Sequence, residues 1–163
     1  MNLLEASGYK VIMIREEDKA IYDENANTLR EKKRSDLKNR MGIIKKNKKE
    51  NTIFVSIHQN KFPDSKYHGT QIFYSVNNPG SQSLAEKIKE SVRGFIQPEN
   101  TREIKPADKK IYLLHNAEIP ALIIECGFLS NIEESKKLID NEYQNQLAFS
   151  IYCGITSYFL DNV

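Results

Sequence analysis

Residues 52–58 read Thr52-Ile53-Phe54-Val55-Ser56-Ile57-His58, a short and nearly unbroken apolar run rich in β-branched side chains. Such a run suits a strand covered on both faces, as in a parallel sheet under helices. A second run of the same character, Ala121-Leu122-Ile123-Ile124-Glu125, follows Pro120. Residues 9–14 (YKVIMI), 69–74 (GTQIFY) and 111–114 also read as strands, and residues 15–27 and 97–110 as polar loops. Helical patterns lie between them. Thr28-Leu29-Arg30-Glu31 has the form of a capping box, and Leu37, Met41 and Ile44 follow it on one stripe. Ser83 with Glu86 and Ser130 with Glu133 repeat the capping pattern, the first ahead of Ile88, Val92 and Phe95 at helical spacing. A last helix carries Tyr143, Leu147, Ile151, Ile155 and Phe159 on one side. Strands alternating with helices predict an α/β fold: a mixed, mostly parallel sheet flanked by helices on both faces.

The 163 residues suit a single domain, 1–163, and the 28% charged and 39% apolar composition excludes a disordered chain. No apolar stretch approaches the length of a transmembrane segment, and no signal peptide opens the chain. Cys126 and Cys153 form no C-x-x-C pair and read as free, buried thiols. Net charge is +2, yet residues 30–49 hold ten basic side chains and two acidic ones. That window is read as the solvated face of a helix, because no aromatic residues interleave with the charges as single-stranded nucleic acid binding requires. No nucleic acid partner is expected.

Chemistry in open α/β sheets collects at the carboxyl ends of strands. His58 ends one apolar run and Glu125 ends another. A carboxylate there is costly to bury without a cation, a hydrogen-bond shell or a proton. If the two strands are parallel, both residues lie on one edge of the sheet, where a His and a Glu suit a metal-bound water with a general base beside it. His68 and His115 have no diagnostic spacing to His58. The residues alone thus lead to an α/β protein with a candidate hydrolytic site at His58 and Glu125, the alternatives being a hydrogen-bonded loop histidine and a glutamate paired with a helix lysine.

The segment Phe54-Val55-Ser56-Ile57-His58-Gln59-Asn60 resembles the F-x-S-I-H-x-N motif of the zinc-dependent N-acetylmuramoyl-L-alanine amidases, the amidase 3 family of cell-wall hydrolases. Pro120 to Asn131 (PALIIECGFLSN) is similar to that family's second motif, in the same order and at a fitting separation. Arg30-Glu31-Lys32-Lys33, Ser35 to Arg40 and His68-Gly69-Thr70-Gln71 further resemble the spore-cortex amidases of the CwlD type, which make the muramic δ-lactam read by germination enzymes. The resemblance implies a hydrolase that cuts the amide between N-acetylmuramic acid and L-alanine of peptidoglycan. It implies one catalytic zinc, with His58 as a metal ligand and Glu125 as the catalytic glutamate, which takes a proton from the attacking water and passes it to the leaving amine. Asn60 is expected to orient His58 or to touch substrate. The implied location is extracytoplasmic, in the cell wall or forespore envelope, with an activating protein partner as one implied association.

The family's first zinc histidine lies in a D-P-G-H-G-G motif on the first strand, and its glutamate ligand lies in the next helix. Neither motif occurs in this chain. The expectation is therefore an N-terminally truncated domain whose zinc binding is weak or absent and whose activity is impaired. The alternative is a non-catalytic remnant that binds peptidoglycan or a partner. A strand of 9–14 or 52–58 is expected to show an unpaired edge.

Overall fold

A computed structural model of the chain describes residues 2–161. Its elements run α1 (Asn2–Ala6), α2 (Leu29–Lys46), β1 (Phe54–Asn60), β2 (Gln71–Tyr74), α3 (Gly80–Phe95), β3 (Lys105–Pro106), α4 (Tyr112–Asn116), β4 (Ala121–Phe128), α5 (Ile132–Ile139) and α6 (Asn141–Leu160). The strands form one sheet in the order β1-β4-β2-β3. β4 runs parallel to β1 and antiparallel to β2, and β2 is parallel to β3. The fold is therefore α/β with a mixed, mostly parallel sheet, as its alternating runs predict.

β4 lies inside the sheet because its side chains are apolar on both faces. Leu122, Ile124 and Cys126 point to one face, where they meet Ile72 of β2, Leu84, Ile88 and Val92 of α3, and Leu147, Ile151 and Ile155 of α6. Ala121 points to the other, with Phe54 of β1, Met41 and Ile44 of α2, and Leu113 and Leu114 of α4. By the two-residue period of a strand, Ser56, His58, Ile123 and Glu125 share this second face. The apolar stripe predicted for α2 is the stripe that packs here, and its capping box is formed: Thr28 Oγ1 accepts the Glu31 N–H while Glu31 accepts the Thr28 N–H at 2.8 Å.

Four local expectations are corrected. Residues 9–14 form no strand: no described strand lies beside them, so their apolar pattern has no ladder to join, and Ile12 and Met13 stay exposed. β1 is instead the edge of the described sheet, and Ile57 on it is 56% exposed. Residues 112–116 are the helix α4, not a strand; the run is too short for periodicity to separate the two. The 97–110 loop contains β3, two residues pairing with Phe73 and Tyr74. The helices after Ser83 and Ser130 start elsewhere: α3 begins at Gly80, where Asn78 Oδ1 takes the Gly80 N–H, and α5 is capped by Asn131.

α3 and α6 approach closely at Gly154, where an added Cβ would stand 2.5 Å from the Ile88 Cα. Backbone cannot yield as a flexible side chain can. Gly154→Ala is expected to destabilise the chain by about 1–3 kcal/mol through overpacking, a fall of several degrees in the thermal midpoint. A midpoint unchanged in differential scanning calorimetry would show that the helices are not in this contact.

Candidate active site

The parallel ladder pairs Phe54 with Ala121 and continues in step to His58 with Glu125. The two residues singled out by sequence are thus direct neighbours on adjacent strands, on one face. Both strands run further than their apolar runs: Glu125 is inside β4, and β1 continues to Asn60. His58 Nε2 lies 2.9 Å from Ser56 Oγ, two residues back on the same face, so the hydroxyl holds the exposed ring. Glu125 is half-buried, and its Oε2 is buried with no hydrogen-bond partner. Burial raises its carboxyl above the ordinary carboxylate range, and the nearby His58 partly opposes that rise. A raised carboxyl is a stronger base once ionised, the property general-base work needs.

On the other side of Glu125 the antiparallel ladder sets Gln71, 3% exposed. Its Nε2 donates to the Glu103 carbonyl at 2.7 Å, and its Oε1 accepts from Arg102 at 3.4 Å. A row His58–Glu125–Gln71 therefore crosses the sheet. After His58 the β1 register shifts, so that Asn60 stands opposite Phe128 and its carbonyl accepts the Leu129 N–H at 2.7 Å. Asn60 belongs to the rim, one step beyond the row. Its side-chain amide makes no hydrogen bond among the described residues.

The rim is built by polar side chains that sequence reading passed over. Glu134 of α5, buried, accepts the Gly69 N–H at 2.9 Å. Gly127 makes room for it, since a Cβ there would stand 2.6 Å from Glu134 Oε2. Gln97 spans Thr70 and Tyr143, and Asn100 donates to the Thr70 carbonyl at 3.0 Å. The signal for Glu134 was the glycine two residues after Glu125, which marks a close approach. Gln71 carried no signal, because its place depends on a register that one strand cannot state.

His58 is the one candidate imidazole for a metal in the row. A catalytic zinc takes three protein ligands. Among the described residues no three His, Cys, Asp or Glu side chains come together to hold an ion, and neither His68 nor His115 joins His58 in such a group. The residues present do not make a complete zinc site.

A family profile described as N-acetylmuramoyl-L-alanine amidase matches residues 1–157. The germination-specific N-acetylmuramoyl-L-alanine amidase of Bacillus subtilis is 35% identical over 97% of this chain, and an uncharacterised cell wall amidase of Bacillus anthracis is 36% identical over 74% of it. The chain spans 65% of the first relative's length and 23% of the second's. Among solved structures, the CwlD amidase of Clostridioides difficile, in complex with the GerS lipoprotein, superposes with a TM-score of 0.89 at 45% identity. That match covers 97% of this chain and 79% of the other. The catalytic domain of the amidase CwlV from Paenibacillus polymyxa superposes at 0.74 with 25% identity, over 97% of this chain and 77% of that domain.

Cys126 follows Glu125 but faces the opposite core. Burial, with the neighbouring Glu125 adding to it, pushes its thiol up to about 11. The thiolate is the reactive form. Iodoacetamide at pH 8 is expected to leave Cys126 unmodified in the folded chain and to label it in urea, as read by peptide mass spectrometry. Equal labelling in both states would contradict the buried placement.

Proposed function

The chain belongs to the N-acetylmuramoyl-L-alanine amidase family, and on that premise we propose that it acts on peptidoglycan of the spore cortex. The bond attacked is the amide joining the lactyl group of N-acetylmuramic acid to the L-alanine of the stem peptide. The observation that supports this reading is the pairing of His58 with Glu125 across parallel strands, with one Glu125 oxygen buried and unpartnered. In the proposed reaction Glu125 takes a proton from the water attacking the carbonyl carbon. The C–N bond breaks, and the same proton goes to the departing amine nitrogen. Water thus becomes part of a new carboxyl group and the peptide gains a free amino terminus. His58, beside Glu125, favours the ionised carboxylate that must accept the proton, which offsets part of the cost of burial.

The family's zinc would meet His58 here. With a single imidazole in place, weak zinc binding and impaired activity are part of the proposal for this chain. The same incomplete ligand set supports the second reading, a peptidoglycan-binding module without turnover. No helix among the described residues is long and apolar enough to cross a membrane. An extracytoplasmic site of action and a protein partner are proposed by analogy with the relatives.

Cortex peptidoglycan incubated with the chain over a range of zinc concentrations tests the reading, scored by new N-terminal alanine. Release is expected to be slow, to rise with added metal, and to fall about 100-fold or more in Glu125→Gln, the scale of a lost general base. Equal release by the two chains would remove Glu125 from the chemistry. Full activity with one zinc already bound per purified chain would overturn the impairment.

A further inference from the structure

Arg102, in the loop between α3 and β3, is half-buried at the same end of the sheet as the His58–Glu125–Gln71 row. Its side chain is held from several directions. Nε donates to the His68 carbonyl at 2.7 Å, and one terminal nitrogen donates to Gln71 Oε1 at 3.4 Å. The guanidinium carbon lies 4.6 Å from the Phe128 ring centroid and 5.4 Å from that of Tyr67. The loop itself is tied down where the Arg102 N–H donates to Asn100 Oδ1 at 3.0 Å.

Among the described residues no carboxylate forms an ion pair with Arg102, and the adjacent Glu103 side chain turns away to Lys89 at 2.9 Å. A half-buried guanidinium stacked on aromatic rings, with no carboxylate of its own, is open to an anionic ligand group. Its neighbours occupy Nε and one terminal nitrogen and fix its plane, which leaves the second terminal nitrogen uncommitted. In this planar fork, with Nε and one terminal nitrogen engaged, the other terminal nitrogen is the one that can donate to a carboxylate oxygen. Gln71 links the fork to the catalytic row, since it contacts Arg102 and is the register neighbour of Glu125.

We propose that Arg102 binds a carboxylate of the substrate on the peptide side of the scissile amide. This deepens the amidase reading and rests on it. The peptide side follows from the chemistry: the lactyl carboxyl is consumed in the amide, so the free carboxylates of the substrate belong to the stem peptide. Arg102 then sets how the peptide lies across Glu125, with Tyr67 and Phe128 keeping the fork rigid. A peptide whose carboxylates are converted to carboxamides offers a neutral, weaker partner.

Calorimetric titration of the whole chain with two synthetic muramyl peptides, one carrying carboxylates and one the matching carboxamides, tests this. The wild-type chain is expected to bind the carboxylate form about tenfold more tightly at low salt, the scale of a charge-assisted pair, and to lose most of that preference at high salt. Arg102→Gln should bring the preference below about twofold, and Arg102→Lys, which keeps the charge and loses the fork, should leave an intermediate value. Arg102→Lys decides the matter if Arg102→Gln proves unstable in a thermal melt. A wild-type preference retained in both variants, or binding by the wild type without preference, overturns this inference and leaves the amidase reading standing. Failure of the wild type to bind either peptide overturns both.

Discussion

Everything at this site depends on the register of one parallel strand pair. β1 and β4 pair in step from Phe54 with Ala121 to His58 with Glu125. Side chains alternate along a strand, so a slip by one residue would send His58 to the opposite face and leave Glu125 without its neighbour. The register is held by burial. Phe54 and Ala121 must meet Met41 and Leu114 on one side, while Leu122 and Ile124 must meet α3 and α6 on the other. Two titratable groups thereby sit side by side within a mostly apolar ladder. The apolar part of the pair supplies the stability, and the His58–Glu125 step carries the candidate site.

Close approaches make the rim possible. Gly127 admits the carboxylate of Glu134, which in turn accepts the Gly69 N–H and fixes the start of β2. Gly69 has φ of +80°, a backbone state that favours glycine, and Asn100 occupies the space a side chain would need. Gln97, Asn100 and Arg102 then bind the loop after α3 to the residues flanking Gly69. The second motif is thus more than a carrier for Glu125. Its glycine, with Glu134 of α5, holds the Gly69 segment that leads into Gln71 and the His58–Glu125–Gln71 row.

The apolar runs at 52–58 and 121–125 were legible because continuous β-branched sequence has few other uses, and their pairing brings the two candidate residues together. Residues 9–14 have the same look, yet no described strand pairs with them, which shows that a strand is a property of two segments. Tyr112-Leu113-Leu114 is as apolar as a strand but turns into α4. There Leu113 and Leu114 pack under α2, and the Leu114 carbonyl accepts from Ser75 Oγ at 2.7 Å. β3 was invisible because it is two exposed residues, Lys105 and Pro106. Gln71 and Arg102 were beyond reach for another reason. Their importance comes from a sheet register and a loop anchor, and single polar residues carry neither in their identity.

The proposed amide hydrolysis draws on family membership and on the half-buried carboxylate of Glu125 beside His58. The incomplete ligand set around His58 is why that proposal includes weak metal binding. The central claim is structural: His58, Glu125 and Gln71 form one row across β1, β4 and β2. Interstrand nuclear Overhauser contacts in the isotopically labelled chain test it most directly. Backbone protons of Glu125 should show contacts to His58 on one side and to Gln71 on the other. Contacts that pair His58 with Ile124 or Cys126 would place it in another register and contradict the row.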